Sequence, residues 1–172
     1  LSSLRLLTDQ LSDAELAEAL ATGTRQLSGL DKDRLHGAIV RDLLMRLEMD
    51  GKPVGFVRVQ QAAGQVKRRS GVQVQERGWM FPPDGSARRL QSNMFITDDL
   101  REEEWTTSVS TYWPERGESP AQLGGSLEEG VRNGEILLAS QESRLGEGIT
   151  EKPAIKTPKG YVARALLRMW PG

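Results

Sequence analysis

The sequence predicts an α+β fold: an antiparallel sheet of six or seven strands, with one helix before it and one after it. Three observations carry this. From Trp105 to Trp113 the side chains alternate, with Trp105, Thr107, Val109, Thr111 and Trp113 on one side and Thr106, Ser108, Ser110 and Tyr112 on the other, the period of a β-strand. Asp50-Gly51 and Asn133-Gly134 each separate two β-like runs and tolerate the positive φ of a two-residue hairpin turn. Short connections of this kind make neighbouring strands antiparallel. Towards both ends the period becomes helical: Leu16 and Leu20 are spaced i,i+4, and Val162, Leu166 and Met169 continue such a stripe near the C-terminus.

Taken in order, Ser12-Asp13-Ala14-Glu15 has the form of a capping box and predicts a short amphipathic helix behind it. The stretch Asp31 to Asp50 divides. Its first part is helix or irregular, and Asp42 to Met49 is a strand, because Met45, Leu47 and Met49 alternate with Arg46 and Glu48. Pro53 then stands at the entrance of a strand from Val54 to Gln61, where a missing amide donor is tolerated. Ala62-Ala63-Gly64 punctuates. Beyond it Val72 and Val74 share one side, whereas Trp79 and Phe81 have the opposite parity, so a bulge at Gly78 is expected to switch faces. Pro82-Pro83-Asp84-Gly85 is a turn, and Leu90, Met94 and Ile96 alternate onward to Thr97. Asp98 to Glu103 reads as an exposed turn or a single helical turn, and Pro114 to Gly125 as a loop. Leu127–Arg132 and Glu135–Ser143 form the hairpin about Asn133-Gly134. A terminal helix follows over Tyr161 to Trp170, entered at Pro158 and Gly160. No internal repeat is present.

The 172 residues suit one domain, with a helical segment over 1–41, the sheet over 42–143 and a loop with the terminal helix over 144–172. Hydrophobic residues at 37% and charged residues at 27% describe a chain that folds. Lys plus Arg number 23 against 24 Asp plus Glu, a net charge of -1, so no global field draws the chain to nucleic acid. There are no cysteines, which excludes disulfides, thiolate metal sites and cysteine nucleophiles. No apolar run approaches the roughly 20 residues that span a bilayer, and no transmembrane segment is expected. The opening Leu1-Ser2-Ser3 lacks Met and the pattern of a signal peptide, so the chain reads as an excerpt or a processed product.

Catalytic machinery is not recognisable, and the chain is expected to be no enzyme and to need no cofactor or metal. His36 is the single histidine, so a catalytic triad has one candidate base. Gly124-Gly125-Ser126-Leu127-Glu128 lacks the last glycine of a nucleophile elbow. Gly146-Glu147-Gly148 lacks the Lys-Ser/Thr of a phosphate loop. The acidic run Asp98, Asp99, Glu102, Glu103 and Glu104 has no EF-hand spacing and reads as a solvated turn. Lys67-Arg68-Arg69 and Arg88-Arg89 read as guards of strand ends. A hydrolase using His36 or the acidic turn is a remote alternative.

The remaining set is aromatic. Phe56, Trp79, Phe81, Phe95, Trp105, Trp113 and Trp170, with Met80 and Met94 beside several of them, suit an adaptable apolar pocket, and an ordinary core as well. The phrases Met49-Asp50-Gly51-Lys52-Pro53-Val54-Gly55-Phe56, Arg77-Gly78-Trp79-Met80-Phe81 and Met94-Phe95-Ile96-Thr97-Asp98-Asp99-Leu100 resemble the Lol-type lipoprotein-carrier superfamily and related bacterial secreted domains. That resemblance implies a curved sheet shaped as an open half-barrel around an apolar cavity, in the periplasm or secreted. The expected function is a non-catalytic envelope or secreted binding domain that holds an apolar ligand or lipidated partner, with Phe56, Trp79, Phe95, Trp105 and Trp113 lining the pocket. The alternative is a structural or protein-interaction module that docks a partner through a sheet edge or the terminal helix.

Overall fold

The structure, a computed structural model, describes residues 30–39, 42–113, 121–143, 148–157 and 161–169. They form one open sheet of eight antiparallel strands: β1 (Asp42–Met49), β2 (Lys52–Val66), β3 (Arg69–Met80), β4 (Ala87–Thr97), β5 (Glu102–Trp113), β6 (Ala121–Asn133), β7 (Ile136–Ser143) and β8 (Gly148–Lys156). Each strand pairs with its sequence neighbour, in the order β1 to β8. Two short helices accompany the sheet, α1 (Lys32–Gly37) and α2 (Arg164–Met169). Among the described residues no helix is long and apolar enough to cross a membrane.

Alternation sorts the side chains onto two faces. One carries Val57, Val59, Val72, Val74, Met94, Ile96 and Trp105, all buried, and is covered by Leu35 of α1 and by Ala165, Leu166 and Met169 of α2. The opposite parity carries Gln60, Gln73, Gln75, Arg77, Gln91, Asn93, Thr106 and Ser108. This division of apolar from polar is the usual arrangement of an antiparallel sheet with one covered face.

Asp31 caps α1, its carboxylate accepting from the Arg34 amide at 2.9 Å. The helix is then tied to the β4–β5 turn, where Asp98 meets Lys32 Nζ at 3.3 Å and His36 Nε2 at 2.7 Å. Glu103 anchors the other helix. Its carboxylate is 2% exposed on the covered face and accepts from the Tyr161 hydroxyl and, at 3.1 Å, from the Arg164 amide. Arg132 Nε stands 3.6 Å away. Burial pushes the Glu103 carboxyl above the usual carboxylate range, against the opposing pull of Tyr161 and Arg132.

Several expectations are corrected. Among the described residues there are eight strands where six or seven were expected, because β8 lies in the stretch read as a loop: Pro153 and its charged neighbours give no alternation. Its register slips opposite Leu137 and Ala139, an irregularity on an edge strand, where a proline is tolerated. Residues 121–125 belong to β6, despite Gly124 and Gly125, and β2 runs on through Ala62-Ala63-Gly64 to Val66. No bulge interrupts β3. Its register with β2 and β4 is unbroken, so Trp79 is on the opposite face from Val72 and Val74. Gly78 instead serves close packing, since a Cβ there would overlap Val57 Cγ2 and the Phe56 carbonyl. The true shifts fall at Leu47/Glu48, Thr111/Tyr112 and Leu137/Ala139.

Asp50-Gly51 turns as expected, with φ of 51° and 72°, whereas the later hairpin closes at Asn133–Ile136 and so places Gly134 and Glu135 in the turn. The acidic run is a turn only as far as Arg101. Glu102 to Glu104 are strand. α2 is shorter than the expected Tyr161 to Trp170, and the helix expected after Ser12 lies outside the described residues.

Candidate binding face

Cross-strand register arranges the polar face in rows. One row reads Gln60, Gln75, Asn93, Thr106, Glu129 and Ser140 across β2 to β7. At a strand spacing of about 4.8 Å, its five intervals span about 24 Å. Every member of the row can hydrogen-bond, and the amides both donate and accept. The neighbouring row reads Gln73, Phe95, Glu104, Val131 and Leu138. A groove of about 470 Å³ lies over the middle of these two rows, from Gln75 to Glu129 and from Gln73 to Val131, with Val66 at the end of β2 and Lys67 of the β2–β3 turn on its wall.

The groove's charges are mutually engaged on that side. Lys67 Nζ meets Glu104 Oε2 at 2.9 Å, and Arg69 meets Glu102 at 2.7 Å and Glu104 at 3.2 Å. Burial alone would raise the Glu104 carboxyl, but hydrogen bonds from Lys67 and Arg69 outweigh it and hold the group below its ordinary value. Arg69 also roofs Phe95, with its guanidinium 5.6 Å from the ring centroid. Phe95 is thereby 3% exposed although it points to the polar face. Gly71 makes room beneath it, since a Cβ there would lie 2.8 Å from Phe95 Cζ.

The other end of the same face is aromatic. Phe56 lies opposite Trp79 in register. The Trp79 ring stands 6.2 Å from Phe81, nearly parallel at 7°, and 5.7 Å from Tyr112. Phe56 is 44% exposed and Phe81 55%.

The five aromatic residues singled out from the sequence are therefore not gathered in one pocket. Phe56 and Trp79 are neighbours at the aromatic end, while Phe95 lies six residues along β4 from Trp79's partner Arg89, about 20 Å away. Trp105 joins Phe95 among the residues lining the groove, although its indole is on the covered face, beneath the Arg164 guanidinium at 4.7 Å. Trp113 ends β5 beside Gly85. The chain matches no family model, no curated protein and no solved structure. The polar face itself is thus the guide to function.

His36 and Asp98, two residues of the hydrolase alternative, do meet. Among the described residues, however, the only side-chain hydrogen bond of His36 is to Asp98. Among the described residues no hydroxyl hydrogen-bonds to the imidazole. The groove's amide row was missed because single glutamines and asparagines on strands read as solvated filler. The usable signal was parity: Gln73 and Gln75 interleave with Val72 and Val74, and Asn93 with Ser92 and Met94.

Proposed function

We propose that this chain is a non-catalytic binding domain that holds an extended, hydroxyl-rich chain, an oligosaccharide, on the polar face of its sheet. The row Gln60, Gln75, Asn93, Thr106, Glu129 and Ser140 carries the reading. Sugar hydroxyls donate and accept, as amide side chains do, and the repeat between strands is close to the length of one pyranose unit. A peptide is served less well. A sheet binds extended peptide at an edge, where backbone groups are free, and not on a face. An envelope or secreted setting, where polymeric glycans occur, is part of the proposal.

The apolar-ligand expectation meets a specific obstacle. Leu35, Leu166 and Met169 pack on the apolar face, so an apolar ligand there would share it with α1 and α2.

An array of oligosaccharides of defined composition, followed by calorimetry on the glycan retained, tests the reading. Gln75→Ala combined with Asn93→Ala is expected to weaken binding about tenfold or more while leaving the denaturation midpoint unchanged. Folded protein that retains no glycan overturns the proposal and turns the search to protein partners.

A further inference from the structure

We infer that the glycan is acidic, a uronic-acid polymer, with Arg77 and Arg89 reading its carboxylates and Trp79 stacking on its rings. This rests on the oligosaccharide reading and goes beyond it by assigning the chain's charge and a second subsite.

Unpaired positive charge is the first observation. Arg46, Arg58, Arg69, Arg88, Arg132 and Arg164 each have an acidic partner. Among the described residues, the exposed side chains of Arg68, Arg77 and Arg89 have neither an ion pair nor a hydrogen bond, and of these Arg77 and Arg89 lie beside Trp79 on the polar face. Arg77 moreover lies directly opposite Arg58, and like charges facing each other across strands are destabilising. A planar guanidinium is suited to bidentate capture of a carboxylate.

Position is the second. Arg89 lies opposite Trp79 in register, and Arg77 is two residues before it on the same face. Gln75 of the amide row is four residues from Trp79, about 13 Å along β3, with Arg77 between them. A chain that leaves the groove along β3 meets amide, guanidinium and aromatic ring in turn. Glu129, exposed on the far side of the amide row, repels acid groups there and so favours their placement at the arginine end.

The test uses the whole chain and hexamers of galacturonate, mannuronate and hyaluronan, each beside neutral hexamers, with methyl-esterified galacturonate as the uncharged match. An acidic hexamer is expected to bind, to weaken as salt is raised, and to lose about tenfold or more in affinity in Arg77→Gln/Arg89→Gln. Esterification should cost as much, and Trp79→Ala should weaken binding of the acidic hexamer and not of the corresponding disaccharide. The arginine variant should be no less stable than the parent, since Arg58 loses a like-charged neighbour. Neutral hexamers that bind as well as acidic ones, with the arginine variant silent, overturn this inference and leave the oligosaccharide reading standing. Failure of every hexamer, neutral and acidic, overturns both.

Discussion

The Trp105 indole lies directly on Gly130 of the neighbouring strand, so closely that a methyl group at Gly130 would overlap ring atoms Cζ2, Cη2 and Cε2. The ring is 4% exposed and its other surface is taken by Arg164. The glycine is therefore required by space and not by backbone angle. Gly130→Ala is expected to cost about 1–3 kcal/mol, read as a lower urea midpoint with a shift in tryptophan emission. An unchanged midpoint would show that the ring packs elsewhere.

Glu103 makes stability depend on pH. A carboxyl whose folded pKa lies above its unfolded value of about 4.3 contributes most below that value, and the contribution is lost as pH rises through the folded pKa. Glu103→Gln cannot ionise, so its stability relative to the parent should increase from pH 4 towards neutrality. Denaturant midpoints taken across that range decide it, and a constant difference would refute it. Tyr161→Phe leaves the buried carboxylate short of one donor and should cost about 1–3 kcal/mol at pH 7.

Asp98 has the opposite sign. Burial alone would raise its carboxyl, but hydrogen bonds from His36 and Lys32 prevail and lower it. Its contribution is present above the unfolded value of about 3.9 and lost as pH falls through the folded one. Asp98→Asn is expected to cost about 1–2 kcal/mol at pH 7, with the deficit shrinking below about pH 4. Equal deficits at pH 7 and pH 3 would separate this residue from the pH response.

Arg69 covers Phe95 and engages two carboxylates. Arg69→Gln removes that roof and should destabilise the protein by about 1–2 kcal/mol. The Glu104 carboxyl should titrate higher as a result, which NMR of the side-chain carboxyl carbon reports directly. A titration unmoved by the substitution would show that Lys67 alone holds Glu104.

Local periodicity made β1 and β5 legible, since Met45, Leu47 and Met49 and the Trp105 run alternate without interruption. β8 was not legible because its pairing with β7 is set by tertiary context that Pro153 contradicts locally. Gly78 misled in a different way: the switch from valine to aromatic parity reflects two faces with different occupants, not a kink in the strand. The site was harder still. Its hydrogen-bonding row joins Gln60, Gln75, Asn93 and Thr106 from four strands, and only the register brings them side by side. Glu103 looked solvated beside other acids because its donors come from Tyr161 and Arg164, far along the chain.

Strand order that follows chain order lets the sheet grow one hairpin at a time during synthesis, each step closing only a short loop. Its valine face has no such convenience. The residues of α2 that cover part of it follow all eight strands in the chain, so the nascent sheet presents that part uncovered until Leu166 and Met169 have left the ribosome. In that interval the growing chain is a client for chaperones, and a ribosome stalled before residue 160 would release a sheet prone to aggregate.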